Sequence, residues 1–231
     1  KKPATEIVSA AKQAVATAEK YNNAQVKESA KNVLVQAYNR MGTEFFGKKD
    51  YDKALASFDS VLAVNPDYLA AMYNKALIYR TQSNSDALEQ TVDTYLSKLP
   101  ATDQDKKKQA SQMALEYFRA AGSKANQADK LDDALNLLNK AAKYGDDKDL
   151  NYYFADVYNK QKNFAKGAEY AQKGLDMETG TADAKAKFYF QLGLAQEGLG
   201  KTAEACAAFK NALYGPFAEP SKAKRTNLKC Q

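Results

Sequence analysis

The chain has 231 residues, 34 of them basic and 28 acidic, with no histidine and two cysteines. That composition excludes imidazole acid–base catalysis and histidine-bearing metal sites, and two cysteines alone make a poor zinc site. The net charge of +6 sits at the ends: Lys1 and Lys2 supply +2, residues 218–231 supply +3, and residues 3–217 carry only +1, too little for a basic groove that would hold nucleic acid or an anionic membrane.

Proline is rare and Ala, Lys, Leu, Gln and Glu recur throughout, a balance that favours helix over strand. Residues 4–20 place Ile7, Val8, Ala11, Ala14, Val15 and Ala18 at helical spacing, which predicts one amphipathic helix. Tyr21-Asn22-Asn23 breaks it. A second helix follows from Ala24 to Phe46, then a turn over Gly47–Asp50. A third runs from Tyr51 to Val64 and stops at Asn65-Pro66, because proline disfavours helical backbone in the residue before it. No run approaches the roughly 18 apolar residues that span a bilayer.

From Gly42 onward a pattern returns. Gly42, Phe45, Ala54, Phe58 and Pro66 are answered by Gly122, Leu131, Ala134, Leu138 and Ala141, and again by Gly193, Gly200, Ala205, Phe209 and Ala212. A period of about 34 residues predicts stacked supersecondary units. These residues resemble the tetratricopeptide repeat, a helix–turn–helix motif whose two helices approach closest at small residues while aromatics fill the gaps.

On that resemblance the chain is one domain. N-terminal helices occupy 1–34, repeats occupy 35–68, 69–100, 115–147, 148–181 and 186–217, and a cap or tail occupies 218–231. The second repeat departs from the pattern. Ala87 opens its second helix, Thr91 stands where a large apolar residue is usual, and about twelve extra residues follow Pro100, with Thr102 as a helix cap. The implied fold is all-α, a right-handed superhelical α-solenoid.

In the family, the first helix of each repeat lines the concave face. The resemblance then implies a groove that includes Asn39, Tyr73, Arg80, Arg119, Tyr152, Asn159 and Phe190. Rings offer contact area, and amides and guanidinium groups can bond a peptide backbone. The implied function is non-catalytic binding of a protein or peptide partner, with no cofactor. The bland alternative is an ordinary solenoid face whose aromatics pack on neighbouring helices. Two other readings stay open: a structural subunit of an envelope complex, and a carbohydrate- or ligand-capture module with aromatic platforms.

The clamp for acidic chaperone termini needs Lys and Asn where this chain has Asn39 and Thr43, so that role is not expected. Most of the 15 tyrosines and ten phenylalanines fall at packing positions, which argues against a stacking platform for single-stranded nucleic acid. Asp146, Asp147 and Asp149 beside Gly145 do not follow calcium-loop spacing, and no metal site is expected. No acidic pair stands in a recognisable catalytic setting, so the chain is not expected to be an enzyme. The residues name neither the partner nor the oligomeric state.

A terminal repeat exposes an apolar face, and residues 217–229 could fold back over it, bringing Cys206 and Cys230 together. Exported, they would be bridged; in a reducing cytosol they would stay free. The first residue is not Met, which fits a processed product with its secretory signal removed. With the Lys-Lys opening, that leans towards a bacterial envelope, periplasmic or secreted setting, with the cytoplasm as the alternative.

Overall fold

The computed structural model describes residues 3–231; Lys1 and Lys2, with the charge and the Lys-Lys opening assigned to them, lie outside the described residues. Among the described residues all regular structure is helical. The order is α1 (Ala4–Lys20), α2 (Ala24–Gly47), α3 (Tyr51–Val64), α4 (Leu69–Thr81), α5 (Ser85–Lys98) and α6 (Gln104–Gln127). There follow α7 (Leu131–Ala142), α8 (Lys148–Lys160), α9 (Phe164–Met177), α10 (Ala182–Gly198), α11 (Thr202–Asn211), a 3-10 turn (Gly215–Phe217) and α12 (Ala218–Asn227). The chain forms two compact units that divide between Ala110 and Ser111, inside α6. In the first, α1 packs on α2, α2 on α3, α3 on α4 and α4 on α5. In the second, each helix from α7 to α12 packs on the next, and α8 also meets α10.

One backbone turn recurs within the pairs. After α2, Lys49 takes a left-handed φ of 60°, and the Asp50 N–H reaches back to the Phe45 carbonyl at 2.9 Å. The same geometry recurs at Ser83-Asn84, Asp129-Lys130, Lys162-Asn163 and Gly200-Lys201. It satisfies carbonyls that the helix end would otherwise leave unpaired. The residue after it then caps the next helix where its side chain is short and polar. Asp50, Asn84 and Asn163 accept the N–H of Lys53, Ala87 and Lys166. Four of these five left-handed positions are not glycine, although a side chain there costs about 1 kcal/mol. Asn22-Asn23, between α1 and α2, makes the same turn.

Packing within a pair follows a size rule. A Cβ on Gly42 of α2 would lie 2.6 Å from the Phe58 ring of α3, and one on Gly193 of α10 would lie 2.6 Å from the Phe209 ring of α11. Gly122 of α6 stands against Leu138 of α7 in the same way, at 2.8 Å. Where the glycine becomes alanine, the facing residue shrinks: Ala76 is answered by Val92, and Ala155 by Ala171, all of them buried. A side chain gained at the first position thus goes with a smaller one at the second, as close packing requires.

That rule corrects the sequence reading of the second repeat. Leu88, Val92 and Tyr95 of α5 are buried as Ala54, Phe58 and Val61 of α3 are, so the second helix is registered one residue later than Ala87 and Thr91 imply. Asn84 as N-cap sets that register, because Ser85 rather than Asn84 is the first helical residue. The large apolar position is therefore filled by Val92, and Thr91 lies beside it. The extra residues after Pro100 mostly extend α6 at its N-terminus. The helix begins at Gln104, and the Asp103 carbonyl takes the Lys107 N–H at 3.1 Å, so Asp103 rather than Thr102 holds the cap position.

Candidate functional site

In the first unit the groove candidates fall on α2 and α4. Asn39 is half-buried, and its side-chain oxygen is buried without a hydrogen-bond partner. Tyr73 lies half-buried with its ring 5.5 Å from that of Tyr95. Arg80 is exposed.

The second unit places its candidates in a polar ladder across α6, α8 and α10. Arg119 of α6 pairs with Asp147 at the cap of α8 and lies 4.0 Å from Asp149; Lys187 of α10 reaches Asp149 from the other side at 2.6 Å. Two turns further along α6 and α8, Asn126 of α6 donates to Asp156 of α8 at 2.5 Å, and Gln191 of α10 donates to the other Asp156 oxygen at 2.9 Å. Lys160 closes the rung, donating to the Asn126 side-chain oxygen at 2.9 Å. Tyr152 lies between the rungs with the Lys187 ammonium 5.3 Å from its ring centre.

These contacts set the protonation of the face. Burial pushes the Asp149 carboxyl up, but the hydrogen bond and charge of Lys187 and the charge of Arg119 outweigh it and hold the group below its ordinary range. Burial, then the neighbouring Asp156 charge, raise the Tyr152 phenol above its ordinary range. The face is thus a row of fixed charges and amides, with a cavity of about 460 Å³ at its far end between Lys160, Leu194, Glu197 and Lys224. Nothing in the row resembles a nucleophile with its base, and among the described residues no cluster of three or more metal-ligating side chains occurs.

Asn159 and Phe190 have packing partners. Asn159 is buried, and its amide donates to both the main-chain and side-chain oxygens of Gln191 at 2.9 Å, tying α8 to α10. Gly167 of α9 leaves the space its side chain fills. The Phe190 ring lies 5.8 Å from Phe209 and 5.5 Å from Phe217, under the C-terminal segment. That segment is held by Lys224 on Glu197 at 2.7 Å, by Arg225 on the Cys206 carbonyl at 2.7 Å, and by a disulfide between Cys206 and Cys230 whose Cα atoms are 5.5 Å apart.

The sequence reading missed Lys187 and Gln191 as members of this face. A usable signal existed for the first: Asp149 and Lys187 hold the same position in successive repeats with opposite charge. Gln191 follows the expected groove residue by one and carries no such mark.

The family comparison agrees with the repeat architecture. The tetratricopeptide repeat profile matches residues 35–68 and again residues 186–214. The chain therefore carries a tetratricopeptide repeat in each of its two units. Comparison with curated proteins gives no match. Among solved structures, a MamA protein is similar at 20% identity, covering 86% of this chain and 97% of its own, with a TM-score of 0.45. YrrB, described as a tetratricopeptide repeat protein with an unusual peptide-binding site, is similar at 14% identity over 81% of this chain and 91% of its own, with a TM-score of 0.46. TTC0263, a tetratricopeptide repeat protein of Thermus thermophilus, is similar at 19% identity over 85% of this chain and 100% of its own, with a TM-score of 0.37. Among the described residues no helix is long and apolar enough to cross a membrane.

Proposed function

We propose that this protein is a non-catalytic scaffold that binds an extended peptide or protein segment along the faces formed by the first helices of its repeats. The observation that carries this reading is the ladder of the second unit. Residues from three successive first helices meet there as one row of charges and amides, spaced to meet an extended backbone and its side chains. In the first unit the same positions supply Asn39, Tyr73 and Arg80. Asn159 and Phe190 support the row from beneath rather than facing the partner.

The Cys206–Cys230 bridge suits an oxidising setting such as the bacterial envelope or the exterior. We take the five repeats and the C-terminal cap as one functional module.

Selection of random displayed peptides on the full chain tests the proposal. A recurring peptide should emerge, and its affinity should fall at least about fivefold in Tyr73→Ala, Arg80→Ala and Tyr152→Ala while thermal unfolding is unchanged. Enriched peptides that bind all three variants as well as the parent would refute it.

A further inference from the structure

Helices α4 and α5, with the end of α3, line an open cavity of about 340 Å³ that none of the groove candidates touches. Its apolar part is Leu62, Pro66 and Met72, with Tyr79 behind. Thr91 and Thr94 of α5 form the opposite wall, and the Thr94 hydroxyl is spent on the Gln90 carbonyl of its own helix at 2.8 Å. Lys75 stands inside with its side chain only 16% exposed, paired with Asp59 of α3, which is 58% exposed. At the other end Lys98 pairs with the outlying Asp67.

The chain supplies its own control. The preceding pair α2–α3 has a cavity of about 320 Å³ at equivalent repeat positions. Taking Gly42 with Ala76 and Phe58 with Val92 as equivalents, Met41 and Ala56 stand there in place of Lys75 and Gln90. A lysine largely removed from water is unfavourable unless it is paired, and its partner here is a mostly solvated aspartate, whose hold on it is weak. A ligand carboxylate can therefore take the Lys75 ammonium from Asp59 at little loss. The volume lies at the lower end for small-ligand sites, and the mixture of apolar walls with a few polar groups is typical of them.

We propose that this cavity binds a small amphipathic carboxylate, with its apolar body against Leu62, Pro66 and Met72 and its carboxylate on Lys75. The site is independent of the peptide-binding face. Two sources share that chemistry, a free organic acid and the C-terminal residue of a peptide.

The test titrates the full chain, labelled at the methionine and leucine methyls, with 4-phenylbutyrate and with a tetrapeptide ending in Phe. The controls are 4-phenylbutanamide and the amidated peptide. Saturable shifts at Met72 and Leu62 with either acid, and at least about tenfold weaker binding of its amide, are expected. The acid alone would assign the site to small molecules, the peptide alone to chain ends. Lys75→Met should weaken the acid about tenfold. Thr91→Phe should abolish binding by filling the space, and Ala87→Leu serves the same purpose if that variant does not fold. No saturable shift from either acid, equal binding of the amides, or unchanged affinity in Lys75→Met would overturn the proposal.

Discussion

Two neighbouring helix pairs, α2–α3 and α4–α5, solve the same packing problem with different allotments of volume. In the first, Gly42 has no side chain and the Phe58 ring fills the crossing; in the second, Ala76 takes some of that space and Val92 is correspondingly small. The difference teaches that the two positions vary together: where the first gains a methyl, the second gives up volume. It also explains how a repeat that looks weak by pattern is still a closed pair.

The comparison can be broken most severely at the ring. Phe58→Ala should cost about 3–5 kcal/mol and Val92→Ala about 1–3, because the cavity left scales with the side chain removed. Chemical denaturation of both variants checks the ratio, and equal losses would refute the size rule. The Gly193–Phe209 pair is followed by the disulfide-held C-terminal segment, whose Phe217 packs on Phe190 beside Phe209. Cys206→Ser with Cys230→Ser should lower stability by about 2–4 kcal/mol, from the freedom returned to the unfolded chain. Limited proteolysis should then cut first within residues 213–230.

A sharper test rebuilds one pair as the other. Gly42→Ala should destabilise by about 1–3 kcal/mol through overpacking, and so should Val92→Phe. Ala76→Gly combined with Val92→Phe should be more stable than Val92→Phe alone. A double-mutant cycle without that favourable coupling would show that the crossing does not set the sizes.

The turns offer a smaller effect of opposite sign. Gly200 and Lys162 hold equivalent left-handed positions with φ of 74° and 60°. Lys162→Gly should gain about 0.5–1 kcal/mol, read as a rise in the unfolding midpoint, because only the lysine strains there.

The smallest effect is electrostatic and belongs to the ladder. Asp149 titrates below its ordinary value of 3.8 in the folded protein, so its contribution is complete at neutral pH and is lost as the pH falls through that lowered value. Urea midpoints measured against pH should show a shallower acid decline in Asp149→Asn. An identical decline would remove Asp149 from the account.

Much of the fold was legible in the residues. The bounds of α1 and α3 follow from apolar spacing, from the Asn22-Asn23 and Asp50 breaks, and from Pro66, all of which act within a few residues along the chain. The register of α5 was legible in the period but misread at Ala87 and Thr91: Leu88 and Val92 lie 34 residues after Ala54 and Phe58. The candidate face was legible in part. Arg119, Tyr152 and Asn159 belong to it by position, yet nothing in their spacing says that Asn159 is spent on Gln191 or that Phe190 lies beneath Phe217.

By itself, then, the sequence determined the helices, their pairing and the repeat, since these rest on local backbone preference and on apolar periodicity. Only the tertiary structure decided which equivalent side chains touch across helices: the ladder of α6, α8 and α10, the cavity around Lys75, and the closing of Cys206 on Cys230. The reason is that such contacts join residues some 16 to 38 positions apart, and their energy depends on the distance and burial that packing sets, which no local pattern encodes.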